Sequence, residues 1–418
     1  MNKKSLFRIF LIYINYLISF LFIRSRKRYT FGGPNGTFKD NAKYLFIYTS
    51  EHTDIDVAWV TTSRMLVSRL TALGLNAYHV RSFRGIWHAL TSKYWFYNSY
   101  LTDIDFCLSG GATTINLWHG VGIKCIERNM KGGPLAELRK HPTFDYWIRH
   151  PHQYIRPSYV LSSNPFQSVF FASSFDIPQS HCLEFGYPRN WILKATEDER
   201  TRFMKKYEIE ETCLLVERIR NVEQGGYSKV LIYMPTWRDS QCDKFAQSMD
   251  FERLNRVLRD RNELLLLKPH PEMIVRGSDS DYSNIVLINS MIDVYSILPY
   301  VQVLITDYSS VIYDFLIMPP ATPLTDDSIS VTSFLDRSVI LYIYDYEEYI
   351  KNDRELYYPY DENVVGRRVY DFEQLLKVIS EGDYALSTED RQYLVDRFWG
   401  ESQYYNSNQK ILDFVKSL

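Results

Sequence analysis

The chain has 418 residues, long enough for two domains of ordinary size with separate cores. Its 48 Lys and Arg nearly balance its 50 Asp and Glu, which removes nucleic acid from the expected partners. An aromatic share of 16%, with 33 Tyr, excludes a disordered chain and suits surfaces that meet lipid or sugar; five scattered Cys, with no C-x-x-C pair and no zinc spacing, fit reduced cytosolic thiols.

Residues 5–23 are almost all apolar, broken only by Arg8 and Asn15, with Lys3 and Lys4 before them and Arg24, Arg26, Lys27 and Arg28 after. A signal peptide would end in a small-residue cleavage site, whereas this run ends in positive charge that resists translocation. Residues 1–30 therefore read as an uncleaved membrane-associated segment, peripheral or monotopic on the cytoplasmic face of the cell membrane, with a single span as the alternative. A buried core helix is the plain structural reading.

Short apolar runs then alternate with helix-like stretches. Residues 43–48 read as a strand, 58–73 as a helix, 77–80 as a strand, and 106–108 and 114–118 as further strands. The intervening 81–100, with Arg81, Arg84, Trp87, Lys93, Trp95 and Phe96, has the composition of an interfacial helix. A hinge is expected near 186–190, followed by a charged helix over 195–206 and strands at 229–234, 263–267, 285–288 and 301–306. This is the pattern of doubly wound α/β domains, whose ligands bind beyond the carboxyl ends of the strands.

Polar clusters stand at such ends. The first is Asn116-Leu117-Trp118-His119-Gly120, a strand that delivers a His into a Gly-flanked turn, where it can take a proton near neutral pH or simply pack beside Trp118. The second, Pro235-Thr236-Trp237-Arg238-Asp239, offers a guanidinium to an anionic oxygen, or a surface ion pair. In the third, Leu264 to Leu267 define a buried strand, and Lys268-Pro269-His270-Pro271 forces an extended exit that carries a Lys and a His. The fourth, Thr306-Asp307-Tyr308-Ser309-Ser310, runs from a strand into a helix start, a seat for phosphate as well as an ordinary cap. No Walker loop, G-x-G-x-x-G or Asp-rich metal motif accompanies them, so the site reads as cationic and metal-free, with no cofactor.

With Gly186-Tyr187-Pro188-Arg189-Asn190, these motifs resemble those of the CDP-glycerol glycerophosphotransferases, enzymes of teichoic-acid and capsule synthesis. The resemblance runs from Phe31-Gly32-Gly33 to Asp345-Tyr346-Glu347-Glu348-Tyr349. It implies a glycosyltransferase-B-like α/β fold of two Rossmann-type domains with a cleft between them: residues 31–185 on the acceptor side and 186–418 binding the CDP donor, with C-terminal helices returning to the first domain. It further implies CDP-glycerol or CDP-ribitol as donor and a lipid-linked glycan or polyol phosphate as acceptor. By motif, either His119 or His270 takes the proton of the attacking hydroxyl, and His270 and Arg238 face the donor phosphates. Ser309 and Ser310 hold the diphosphate, and Lys268, Asp307, Gly120 and Arg189 complete the binding set.

The chain departs from the family pattern at Val121-Gly122-Ile123-Lys124, where Thr-Pro-Leu-Lys is usual, at Trp191, and at Val365-Gly366-Arg367-Arg368. These changes touch polyol and acceptor specificity more than chemistry. A nucleotide-sugar glycosyltransferase and a non-catalytic membrane-bound assembly protein are the alternatives.

Overall fold

The computed structural model describes residues 3–131, 136–137, 141–220, 226–236, 238, 249–268, 282–319, 337–353 and 355–418. His270, with Pro269 and Pro271, lies outside them, as do Trp237 and Asp239. Two units emerge: Met1–Gly122, Ile126–Trp191 and Trp399–Leu418 form the first, and Ile123–Cys125 with Ile192–Phe398 form the second.

The first unit is built on a parallel sheet of seven strands, β1 (Ser25–Phe31), β2 (Asp56–Thr61), β3 (Ala77–His79), β4 (Ser92–Tyr97), β5 (Thr113–Asn116), β6 (Tyr159–Ser162) and β7 (Cys182–Glu184). Their order is β3-β2-β1-β4-β5-β6-β7, with Thr30 of β1 opposite Ala58 on one side and Trp95 on the other. Val57 to Thr61 of β2 and Tyr94 to Tyr97 of β4 are buried throughout, as in a sheet covered on both faces, whereas β1 opens on the exposed Ser25, Arg26 and Lys27.

That same burial explains where the sequence reading errs. Residues 43–48 form no strand but the middle of a helix, α2 (Asp40–His52), in which Asn41 to Ile47 are buried without interruption. A helix buried on every side shows no 3.6-residue period and cannot be told from a buried strand by pattern. The expected helix at 58–73 is two elements: β2, then α3 (Arg64–Ala72), which Ser63 caps by accepting the Leu66 N–H at 3.2 Å. Residues 106–108 are a 3-10 turn because the Asp105 carboxylate takes the Cys107 N–H at 2.9 Å. The stretch 81–100 splits into α4 (Phe83–Thr91) and β4.

The N-terminal apolar run forms α1 (Lys3–Ser19), and the basic residues after it open β1. Among the described residues no helix is long and apolar enough to cross a membrane. At about 1.5 Å per residue α1 falls short of a hydrocarbon core of about 30 Å. Instead it is stitched to the first unit. Tyr16 stacks on Phe106 at 4.6 Å, and Ser19 Oγ accepts the Gly110 N–H at 2.8 Å. The Arg24 guanidinium donates to the carbonyls of Ala89, Ser92, Leu108 and Gly110; burial lowers its pKa to about 10, which leaves it charged at neutral pH.

The second unit carries a parallel sheet of six strands, β8 (Lys229–Tyr233), β9 (Glu263–Leu267), β10 (Ile285–Leu287), β11 (Val303–Thr306), β12 (Ser338–Tyr342) and β13 (Arg367–Val369), in the order β10-β9-β8-β11-β12-β13. Leu231, Leu265, Ile305 and Ile340 face the helices Phe251–Asp260 and Phe372–Glu381 through Leu254, Leu258 and Leu375. Each such side chain removed from water contributes about 1.5–3 kcal/mol. The core thus holds the strand ends rigid.

Candidate active site

β8 and β11 are neighbours in their sheet although β9 and β10 lie between them in the chain, so the strand order reverses there. Doubly wound sheets bind ligands outside the carboxyl ends of strands at such a point. After β8 come Pro235, Thr236 and Arg238; after β11 come Asp307 to Ser310.

Arg238 is buried at this point, with four of its N–H groups engaged. Its Nε and Nη2 donate to Asp345 at 2.8 and 3.0 Å, and its Nη1 donates to Asp307 Oδ2 at 2.6 Å and to the Thr236 carbonyl. Asp307 also accepts the N–H groups of Thr236 and Tyr308, and Tyr308 donates its hydroxyl to Asp345 at 3.0 Å. The rings of Tyr308, Tyr344 and Tyr349 lie 5.5, 5.2 and 5.5 Å from the guanidinium carbon. Burial works against the charge, but Asp307 and Asp345 outweigh it and raise the Arg238 pKa, so it is a cation throughout the working range. One cation faces two carboxylates, so this hub alone does not draw in an anion. Where the motif pointed Arg238 at a donor phosphate, the structure ties the ends of β8, β11 and β12 together through it.

Ser309 and Ser310 are half-buried and follow directly on this hub. Ser310 occupies the cap position of the helix Val311–Leu316 yet makes no side-chain cap bond, and Ser309 Oγ stands 3.5 Å from the Val311 N–H. The ordinary cap is therefore barely made, and the hydroxyls are left for another acceptor. Lys268 follows the adjacent strand β9; its N–H donates to the Tyr233 carbonyl at 2.9 Å and its Nζ to the Asn289 carbonyl at 3.2 Å.

In the first unit, β5 leads into the His119 turn. Trp118 adopts φ of 50° and Gly120 φ of 116°. The left-handed Trp118 is held by Asn116 Oδ1, which accepts its N–H at 2.9 Å, and by Asn41 Nδ2, which donates to its carbonyl at 2.9 Å. Arg189 lies beneath the turn, donating to the His119 carbonyl at 2.9 Å and to Asp40 at 2.6 Å, while Tyr187 donates its hydroxyl to the Gly120 carbonyl at 3.0 Å. The His119 imidazole is exposed and stacks on the Trp118 indole at 4.1 Å. A rigid, strained turn presenting an imidazole to solvent is a fitting place for a general base. Arg189, read as a binding residue, holds the turn from below.

The structure thus gathers His119, Gly120 and Arg189 in the first unit. In the second it gathers Arg238, Asp307, Ser309 and Ser310, with Lys268 on the next strand. Asp345, Tyr308, Asp40 and Asn41 were missed as supports. The strand β12, Ser338–Tyr342, read from its apolar run, would have marked Asp345 as a carboxylate just past a strand end.

The family model CDP-Glycerol:Poly(glycerophosphate) glycerophosphotransferase matches residues 17–320 and 329–417. The chain belongs to this family. Among glycerophosphotransferases, a teichoic acid glycerol-phosphate transferase of Staphylococcus aureus is 25% identical over 356 residues, 83% of this chain and 81% of that one. A teichoic acid poly(glycerol phosphate) polymerase of Bacillus spizizenii is 25% identical over 385 residues, 90% and 88% of the two chains. The solved wall teichoic acid polymerase TagF superposes with a TM-score of 0.71 at 22% identity, covering 100% of this chain and 96% of that one. The likeness agrees with the α/β fold of two parallel sheets.

Proposed function

We propose that this glycerophosphotransferase moves a polyol phosphate, glycerol phosphate foremost, from a CDP-activated donor to a hydroxyl of a membrane-linked glycan or polyol-phosphate acceptor and releases CMP, in the synthesis of a teichoic-acid or capsule-like polymer. The observation that carries this reading is the meeting of the family's motif residues at the strand-order reversal of the second sheet, where a phosphate ligand is expected. The acceptor hydroxyl loses its proton to His119 or His270 and attacks the distal phosphorus; the bond from that phosphorus to the CMP oxygen breaks. Ser309, Ser310 and Lys268 hold the diphosphate, and Arg238 keeps their strand ends in register. Both relatives described above are named for glycerol phosphate, which favours that polyol.

The test is a donor panel. The full chain is incubated with CDP-glycerol, CDP-ribitol and nucleotide sugars, with and without chelator, and released CMP is measured. Release from a CDP-polyol supports the proposal; turnover of nucleotide sugars alone overturns it.

The same reading places the protein on the inner face of the cell membrane. Phe10, Leu17, Leu21 and Ile23 are exposed on and after α1, and Phe83 and Trp87 on α4, with Arg26, Lys27, Arg81 and Arg84 exposed nearby. Phe22 meets Trp87 edge-on at 6.4 Å, joining the two elements into one apolar, basic-edged face suited to anionic lipid. Deletion of residues 1–28 would cut into β1, so point changes are the cleaner probe. Leu17→Glu with Trp87→Glu should release the protein from sedimented membranes at unchanged melting temperature; full retention would refute this face.

A further inference from the structure

The turn that carries His119 has a weak side. Its entry is braced at Trp118 by Asn116 and Asn41, but its exit, Gly120-Val121-Gly122, places two glycines within three residues. Glycine gives the backbone its widest conformational choice, so this stretch would let the imidazole drift. A reacting group displaced by about 1 Å can cost about a hundredfold in rate.

Gln167 closes that gap. Its Oε1 accepts the Gly122 N–H at 2.8 Å, and its Nε2 donates to the Gly122 carbonyl at 3.3 Å. One amide thus takes up both polar groups of one residue, and those backbone partners fix which end of the amide is oxygen and which is nitrogen. Gln167 is itself held fast. It is buried in the first turn of the helix Pro165–Phe175, and its own N–H donates to Oδ1 of the capping Asn164 at 3.0 Å.

The clamp stands where this chain departs from the family pattern, which has proline at position 122. A proline there would offer Gln167 no N–H, and a Cβ on Gly122 would overlap the Phe170 ring, three residues along the same helix. A side-chain clamp therefore does here what a proline ring would do by its own stiffness. Gly122 is also the last residue before Ile123–Cys125, which belong to the second unit, so the exit of the turn is fixed at the point where the chain leaves the first unit.

We propose that Gln167 is a positioning residue for the transfer reaction: by holding Gly122 it sets the exit of the turn and, through the backbone, the place of the His119 imidazole. The proposal rests on the reading of His119 as the base.

The experiment follows CMP release by the full-length protein with CDP-glycerol and a short-chain lipid-linked glycan carrying one glycerol phosphate. Gln167→Met keeps the side chain's length and removes both hydrogen bonds. It should lower kcat about tenfold and leave both KM values within twofold, because the loss falls on the transition state alone. In a His119→Ala background the same change should have no further effect, since the group it positions is gone. A Gln167→Met protein that is folded at the assay temperature and keeps the wild-type kcat, or that raises a KM instead, would refute the role; so would a further tenfold drop in the His119→Ala background. If Gln167→Met does not fold, Gln167→Glu keeps the shape. Its protonated carboxyl can accept and donate at Gly122, whereas its carboxylate faces the Gly122 carbonyl. Its kcat relative to wild type should therefore fall as pH rises through the ionisation of that carboxyl, which burial moves upward. A ratio that stays constant with pH would refute the role. Undiminished turnover by His119→Ala would instead overturn the reading of His119 on which the proposal rests, and absence of CMP release by wild type would overturn the transferase reading.

Discussion

The His119 turn and the Arg238 hub invert one another. In the first unit the proposed base, His119, is exposed and its supports, Arg189, Asp40 and Asn41, lie beneath it. In the second unit the motif guanidinium, Arg238, is itself the buried support, and the half-buried groups beside it are the hydroxyls of Ser309 and Ser310. A motif residue's charge therefore does not reveal its role. Its burial, and how many of its donors are already satisfied, does.

The comparison breaks most readily at Arg238. Arg238→Ala leaves Asp307 and Asp345 buried without their cation, a loss of about 3–5 kcal/mol. For a unit of this size that lowers the melting temperature on the order of 10 °C. Arg238→Lys should recover only part, because a lysine cannot bridge both carboxylates in the plane of the fork. Normal melting together with a large rise in donor KM would make Arg238 a phosphate ligand after all. His119→Ala is the opposite case. It should cut turnover about a hundredfold or more while costing less than about 1 kcal/mol in stability, since the ring is exposed and only the stacking on Trp118 is lost. A variant that melts early but turns over normally would move His119 to the structural side.

A smaller effect separates support from chemistry by pH. Burial lifts the pKa of Asp103, in the loop after β4, from 3.8 to about 6, against the N–H groups of Asn98 and Ser99 that lower it. Between those values the folded chain binds more protons than the unfolded one. The contribution of this group is therefore fully present below about pH 4 and is lost as pH rises through 6, a swing on the order of 3 kcal/mol. Both N–H groups fall on Oδ2, so the amide oxygen of Asp103→Asn can take them over. The variant should flatten the stability profile between pH 4 and 7, as followed by melting; an unchanged slope would refute the assignment.

Much of this was legible in the sequence. The strands 229–234, 263–267 and 301–306 lie where their apolar runs put them, because a strand buried on both faces and closed by polar or Pro-containing turns is marked at both ends. Two of the runs that failed, 43–48 and 58–73, lacked that punctuation: Asn41 to Ile47 of α2 are buried without a break, and β2 passes into α3 across only Thr62 and Ser63. Motif positions were legible, but side-chain partners were not. Nothing in Pro235-Thr236-Trp237-Arg238-Asp239 says that the guanidinium is claimed by carboxylates 69 and 107 residues away.

The finest discrimination concerns Ser309 and Ser310. As helix caps they would stabilise the fold and do little else, and loss of either would cost about 1 kcal/mol in stability. The structure leaves Ser310 without a cap bond and Ser309 at 3.5 Å from its nearest N–H, so little stability should depend on them. The helix they precede, Val311–Leu316, is six residues long and contributes only a weak dipole, so a diphosphate there must be held by hydroxyls and local N–H groups. Each hydroxyl is then worth about 1–1.5 kcal/mol to the bound donor, five- to tenfold in affinity. Ser309→Ala and Ser310→Ala should each raise the CDP-glycerol KM by that factor with the melting temperature unchanged. The opposite pattern, early melting with an unaltered KM, would return both serines to the role of a plain cap and leave the donor's grip to Lys268 and to residues that follow it.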